Sequence, residues 1–207
     1  KGEFKIEIKS NFNPKHSNIT NTILHSRMII NHNIGDYQDM IPESWHMDKS
    51  DPVKLPASES LMLIEGEGPK QRIVLGPLYN DIVRDTEDKS AVTIYPKSVI
   101  YPTNFPKEQF TNKKYPLAQM FVNPCFLDTL YQSCAAHLLV TRKRVYLPWF
   151  AQDLGIVNVP KEEGVYTCYA QVIEDREDIV KYRVTMLDEA DNVRYFVRNI
   201  EFRRINL

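Results

Sequence analysis

Asp128 and Gln132 stand four residues apart in a stretch that is otherwise mostly apolar, Phe126 to Leu139. On a helix that spacing puts both side chains on one face, where an amide can hydrogen-bond a carboxyl group. Leu127 and Leu130 flank the acid. A lone Asp near a helix start is more often solvated or capping. Here the apolar neighbours direct it toward a cavity or core, where function is the simplest reason to keep a carboxyl group. The alternative reading of Gln132, an amide that merely satisfies a nearby carbonyl, stands beside the functional one. The histidines are His16, His25, His32, His46 and His137. The first four read as surface residues. His137 lies nine residues beyond Asp128, about two and a half helical turns, too far to act on the same substrate carbon. Cys125, Cys134 and Cys168 are odd in number and lack a CxxC spacing, so they read as reduced thiols and not as a metal or redox site.

The elements that must position these residues follow from periodicity. Asn123 is a good N-cap and Pro124 fits the first helical position. Leu127, Leu130, Tyr131, Cys134, Ala135, Leu138 and Leu139 then recur at helical spacing, which predicts a helix over Pro124 to Thr141. Strands are expected beyond it at Val165–Ile173, Ile179–Leu187, with Val180, Tyr182, Val184 and Met186 inward, and Val193–Arg203. Turns at Asp175–Asp178 and Asp188–Asn192 separate them. Before the helix, Ala91–Tyr95 reads as a strand and Pro96–Pro116 as a proline-rich crossing segment. Phe4–Lys9 alternates cleanly and pairs in expectation with a strand over Ser26–Asn31, across a polar loop. From Ile34 to Lys70, Pro42, Pro52, Pro56 and Pro69 interrupt any period, so a linker is expected there, with a short helix near Ser58–Ile64. The resulting division is 1–33, 34–70 and 71–207.

One helix followed by an antiparallel meander is α+β by periodicity, and it has the outline of a hotdog, a sheet wrapped around a central helix. Composition limits the partners. Lys and Arg (26) nearly balance Asp and Glu (27), giving a net charge of −1 without a long run of either sign, so nucleic-acid binding has no support. No apolar stretch approaches the roughly 20 residues that span a bilayer, and no targeting segment opens the sequence, so a cytoplasmic, non-membrane protein is expected. The 43% hydrophobic content supplies a packed core. A chain that starts at Lys1 and is strand-like by Phe4 is expected to be part of a longer one.

The stretch Phe121-Val-Asn-Pro-Cys-Phe-Leu-Asp-Thr-Leu-Tyr-Gln132 closely resembles the helix signature of polyketide synthase dehydratase domains. Leu147-Pro148-Trp149-Phe150 is similar to that family's Leu-Pro-aromatic strand, and Gly76-Pro77-Leu78-Tyr79 to its Gly-Pro-x-aromatic turn. The three motifs occur in the family's order. The resemblance covers about Arg72 to Asn206 and implies the C-terminal half of a double hotdog, preceded by terminal strands of the first. It implies Asp128 as the general acid for loss of water from a β-hydroxyacyl chain, Gln132 as its orienting partner, and substrate contacts at Gly76, Pro77, Tyr79 and Pro148. The acid must hold its proton near neutral pH, which burial favours. No bound cofactor or metal is implied. The substrate arrives on the phosphopantetheine of an acyl carrier protein, and that carrier, the other synthase domains and a second copy of the chain are the implied partners.

Two departures bear on activity. The family's base is a histidine in a His-x3-Gly-x4-Pro motif, a spacing absent here; His32 precedes Gly35 by only three positions. The base is therefore expected upstream of Lys1. Ile73 and Leu75 stand where the family commonly carries tyrosines, and Asn123 where it often has histidine. The aliphatic pair favours an alternative class, a non-catalytic dehydratase-like structural or carrier-docking module. Asp128 with Gln132 favours the hydro-lyase. A stand-alone hotdog thioesterase leaves the Leu-Pro and Gly-Pro motifs unexplained.

Overall fold

The computed structural model describes residues 3–12, 21–31, 35–45, 50–55, 92–105, 124–157 and 164–205. These fall into two compact units, Lys1–Asp36 and Tyr37–Leu207. In the first, β1 (Glu3–Phe12) pairs antiparallel with β2 (Asn21–Asn31), with a register shift between Ile8 and Lys9. The pairing is the one expected from the alternation of Phe4, Ile6 and Ile8. Both strands run further into the polar connection than its composition indicates.

The second unit is a seven-stranded sheet and one long helix. Its strands are β3 (Val53–Leu55), β4 (Val92–Tyr95), β5 (Ser98–Phe105), β6 (Tyr146–Ile156), β7 (Gly164–Asp175), β8 (Ile179–Asp188) and β9 (Val193–Arg204). They lie in the order β3-β4-β5-β7-β8-β9-β6, and each neighbouring pair is antiparallel. The helix α1 (Pro124–Arg142) packs on one face of this sheet, chiefly against β5 and β7. This is the expected hotdog outline. Val180, Tyr182, Val184 and Met186 are all buried, as their alternation requires.

Helix α1 opens on Pro124, whose missing N–H falls among donors that have no intrahelical partner anyway. It closes with Lys143 at φ 52°, whose N–H donates to the Leu139 carbonyl, a left-handed cap formed without glycine. Phe126, Leu130, Ser133, Cys134 and His137 form its buried face. At one end Phe126 meets Tyr166 edge-on at 5.0 Å and stacks on Tyr195 at 5.5 Å. At the other, Arg142 is ion-paired with Asp175. The two ends are thereby fixed to β7 and β9, which sets the depth of every residue between them.

Two parts of the sequence reading need correction. The segment 34–70 is not simply a linker. Tyr37 to Trp45 forms two short 3-10 turns that cover the outer face of the sheet. Tyr37 stacks on Phe196, Met40 and Trp45 are buried, and the Thr185 hydroxyl donates to the Met40 carbonyl at 2.6 Å. Further on, Val53–Leu55 pairs with Val92–Ile94 as the sheet's edge. The second correction concerns Pro96–Pro116. Pro96 and Lys97 make a tight turn, and Ser98–Phe105 is a full strand between β4 and β7. Pro102 falls past the last β4–β5 pair, which ends at Ile100, so its absent N–H leaves that ladder intact. The helix proposed near Ser58–Ile64 lies outside the described residues.

Outer-face packing is tight enough to test. A Cβ added to Gly155 would fall well inside van der Waals contact of three Phe196 ring carbons. That ring is held between Tyr37 and the Arg198 guanidinium. Gly155→Ala is therefore expected to destabilise the protein by about 1–3 kcal/mol, the usual range for overpacking, read as a lower urea midpoint at unchanged slope. An unchanged midpoint would show that the ring has room to move.

Candidate active site

Asp128 and Gln132 lie on α1 as expected, but not on its sheet-facing side. With Tyr131, Ala135 and Leu139 they form the half-buried stripe opposite the buried face. The structure thus places the carboxyl group at the flank of the helix and not within the sheet core. Its charge acts on two phenols. Burial first, then the neighbouring Cys168 and Asp128, push the Tyr101 hydroxyl well above its ordinary range. Burial first, then Cys134 and Asp128, raise that of Tyr131. Both phenols are therefore protonated donors at any physiological pH, beside a carboxyl group.

Tyr101 comes from β5, the strand hidden in the proline-rich segment. It is buried on the inner face opposite Cys168 of β7. Two residues further on the same face stands Thr103, opposite Tyr166. Since Tyr166 packs against Phe126, Thr103 lies at the level of the first turns of α1. Neither residue was a candidate from sequence. The alternation of Val99, Tyr101 and Thr103, all buried, is the signal that could have found them.

Gln132 carries a buried Oε1 without a hydrogen-bond partner among the described residues. An amide oxygen is only an acceptor, so this atom calls for a donor. A protonated carboxyl group has one to give and an ionised carboxylate has none. Pro148 stands elsewhere. It is exposed on the edge strand β6, opposite Phe202. Phe202 packs on Tyr182, and Tyr182 hydrogen-bonds His137, so Pro148 belongs to the level of His137 and not of Asp128. Gly76, Pro77 and Tyr79 lie outside the described residues, as do Ile73, Leu75, Asn123, His16, His32 and His46. His25 falls within β2.

His137 has a structural post. Its Nε2 faces the Pro96 carbonyl at 3.1 Å and its Nδ1 the Tyr182 hydroxyl at 2.8 Å. A carbonyl only accepts, so Nε2 carries the hydrogen and Nδ1 accepts from the phenol. Burial, the largest influence, lowers its pKa to about 4. Cys134 and Cys168 are buried, and burial raises both thiols, so neither is a thiolate nucleophile at neutral pH. Among the described residues no three His, Cys, Asp or Glu converge as a metal site, and no helix is long and apolar enough to cross a membrane.

No protein-family model matches the sequence, and no curated protein matches it. Solved structures match by fold. The dehydratase domain of the polyketide PpsC from Mycobacterium tuberculosis superposes with a TM-score of 0.67 at 12% identity, over 99% of this chain and 65% of that one. The dehydratase domain from the CurF module of curacin polyketide synthase gives 0.61 at 14% identity, over 98% and 65%. An inactive mutant of the CurJ dehydratase gives 0.59 at 16% identity, over 99% and 64%. At these identities the likeness establishes the hotdog fold. The chain spans just under two thirds of the length of each of these domains.

Proposed function

We propose that the chain is part of a dehydratase domain of a polyketide or fatty-acid synthase, the C-terminal half of a double hotdog with terminal strands of the first. It removes water from a β-hydroxyacyl chain carried on the phosphopantetheine of an acyl carrier protein. The observation that supports this reading best is Asp128 at the flank of the central hotdog helix, beside two buried or half-buried phenols, in a chain with the fold of such domains.

In this reading Asp128 is the general acid. A histidine base outside these 207 residues takes the α-proton, the C–H electrons form the Cα=Cβ bond, and the C–O bond breaks. Asp128 delivers its proton to the leaving hydroxyl, which departs as water. Gln132 keeps the carboxyl group oriented: its orphan Oε1 accepts from the protonated acid. Gly76, Pro77 and Tyr79 line the substrate path. The carrier protein and other synthase domains are the partners, the chain pairs with a second copy of itself, and the compartment is the cytoplasm. The aliphatic Ile73 and Leu75 favour the second reading, a non-catalytic module that docks the carrier.

The full-length protein is expected to convert a β-hydroxyacyl thioester to the enoyl product, detected by mass spectrometry as loss of one water, while the 207-residue chain alone does not. General-base assistance typically contributes 10²- to 10⁴-fold. Turnover by the isolated chain would place the base inside it. An inactive full-length protein that still binds the carrier would favour the docking module.

A further inference from the structure

A helix turns by about 100° per residue, so residues three and four apart are neighbours on its surface. From Asp128 these are Tyr131 and Gln132, one to either side, and all three are half-buried on the same stripe of α1. Gln132 brings an acceptor. Tyr131 brings a donor. Helical side chains also lean toward the N-terminus, so a residue covers the surface one turn before its own Cα. For Tyr131 that is the surface from which Asp128 projects. Tyr131 packs against the hydrophobic core and is still part-exposed. A tyrosine so placed buries its ring and keeps its hydroxyl on the open side.

Other phenols near the helix are committed elsewhere. The Tyr182 hydroxyl donates to His137 Nδ1 and that of Tyr146 to the Glu177 carbonyl. Tyr101, Tyr166 and Tyr195 belong to the core. At position 131 a leucine or phenylalanine would pack against that core equally well, so packing does not account for the hydroxyl. Burial first, then Cys134 and Asp128, hold its proton in place, so it donates hydrogen bonds without giving the proton up. We propose that Tyr131 is a further catalytic residue, its hydroxyl donating a hydrogen bond to the same substrate β-oxygen that Asp128 protonates. This inference rests on the dehydratase reading for its reaction. As the Cβ–O bond breaks, its electron pair gathers on that oxygen while the acid's proton is still in transit. A donor already in place stabilises the charge as it develops. Asp128 supplies the proton that departs in the water, and Tyr131 retains its own.

The test uses the full-length protein and two substrates of one chain length, 3-hydroxyoctanoyl- and 3-fluorooctanoyl-coenzyme A. Fluorine is close to a hydroxyl in size, and both substrates give the same enoyl thioester. Fluoride leaves with its bond pair and needs no proton, because hydrogen fluoride is a far stronger acid than water. On the hydroxy substrate Tyr131→Phe should lower kcat about 10- to 100-fold, the worth of one donor to a developing charge, with KM little changed. On the fluoro substrate it should run close to the wild type, as should Asp128→Asn. Its unfolding temperature should be nearly that of the wild type. A loss of several degrees would show that the hydroxyl holds the fold and would overturn the proposal. Equal slowing on both substrates would overturn it too, because the hydroxyl would then act away from the leaving oxygen. Hydroxy turnover equal to the wild type's would overturn it and leave the dehydratase reading intact, whereas a wild type inactive on hydroxy substrates of several lengths would sink both.

Discussion

Asparagine at position 128 is expected to lower dehydration by the full-length protein about 10²- to 10⁴-fold, the usual contribution of a positioned general acid, with the unfolding free energy changed by less than about 1 kcal/mol. The small stability effect follows from burial. Asp128 is on the half-exposed stripe of α1, not among the core residues that fix the helix to β7 and β9. The large activity effect follows from chemistry. An amide of nearly the same shape has no proton to transfer. Equal turnover by the two proteins would mean that another group protonates the leaving hydroxyl.

The helix that carries this acid was legible because its signals are local: a proline at the first position and a run of apolar residues at a period of 3.6. The hairpins β7–β8 and β8–β9 were legible for the same reason, since charged turns separate clean alternations. What escaped depends on partners far along the chain. Val53–Leu55 is three residues long and becomes a strand only by pairing with Val92–Ile94. Met40 and Trp45 follow no period, because a 3-10 segment lying across a sheet buries isolated side chains and not a face. The site suffered most from one residue. Pro102 made Ser98–Phe105 read as irregular, and with that strand went Tyr101 and Thr103, the two hydroxyls that face α1. Proline was tolerated there because β4 had already ended, a fact of tertiary pairing that no local pattern carries.

Below neutral pH the protein is expected to lose stability through His137, by about 3 kcal/mol between pH 6.5 and 4. The groups that face this ring are the Tyr182 hydroxyl on β8, the Pro96 and Tyr95 carbonyls at the β4–β5 turn, and Arg142 on its own helix. Burial is the main cause of the lowered pKa, with Arg142 adding to it and the carbonyls opposing it. The sign follows from proton counts. In the unfolded chain the imidazole titrates near 6.5, while in the fold it stays neutral until about 4. Between those values the unfolded state holds the extra proton, so stability is fully present above pH 6.5 and falls as the pH drops toward the folded pKa. Urea unfolding at pH 7 and pH 5 should differ by about 2 kcal/mol more in the wild type than in His137→Gln, which cannot titrate. Equal pH dependence in the two proteins would mean that the buried pair with Tyr182 opens before it is protonated. His137 limits the fold and not the chemistry, so the acidic limb of any rate profile should track unfolding and vanish from the rate per folded molecule.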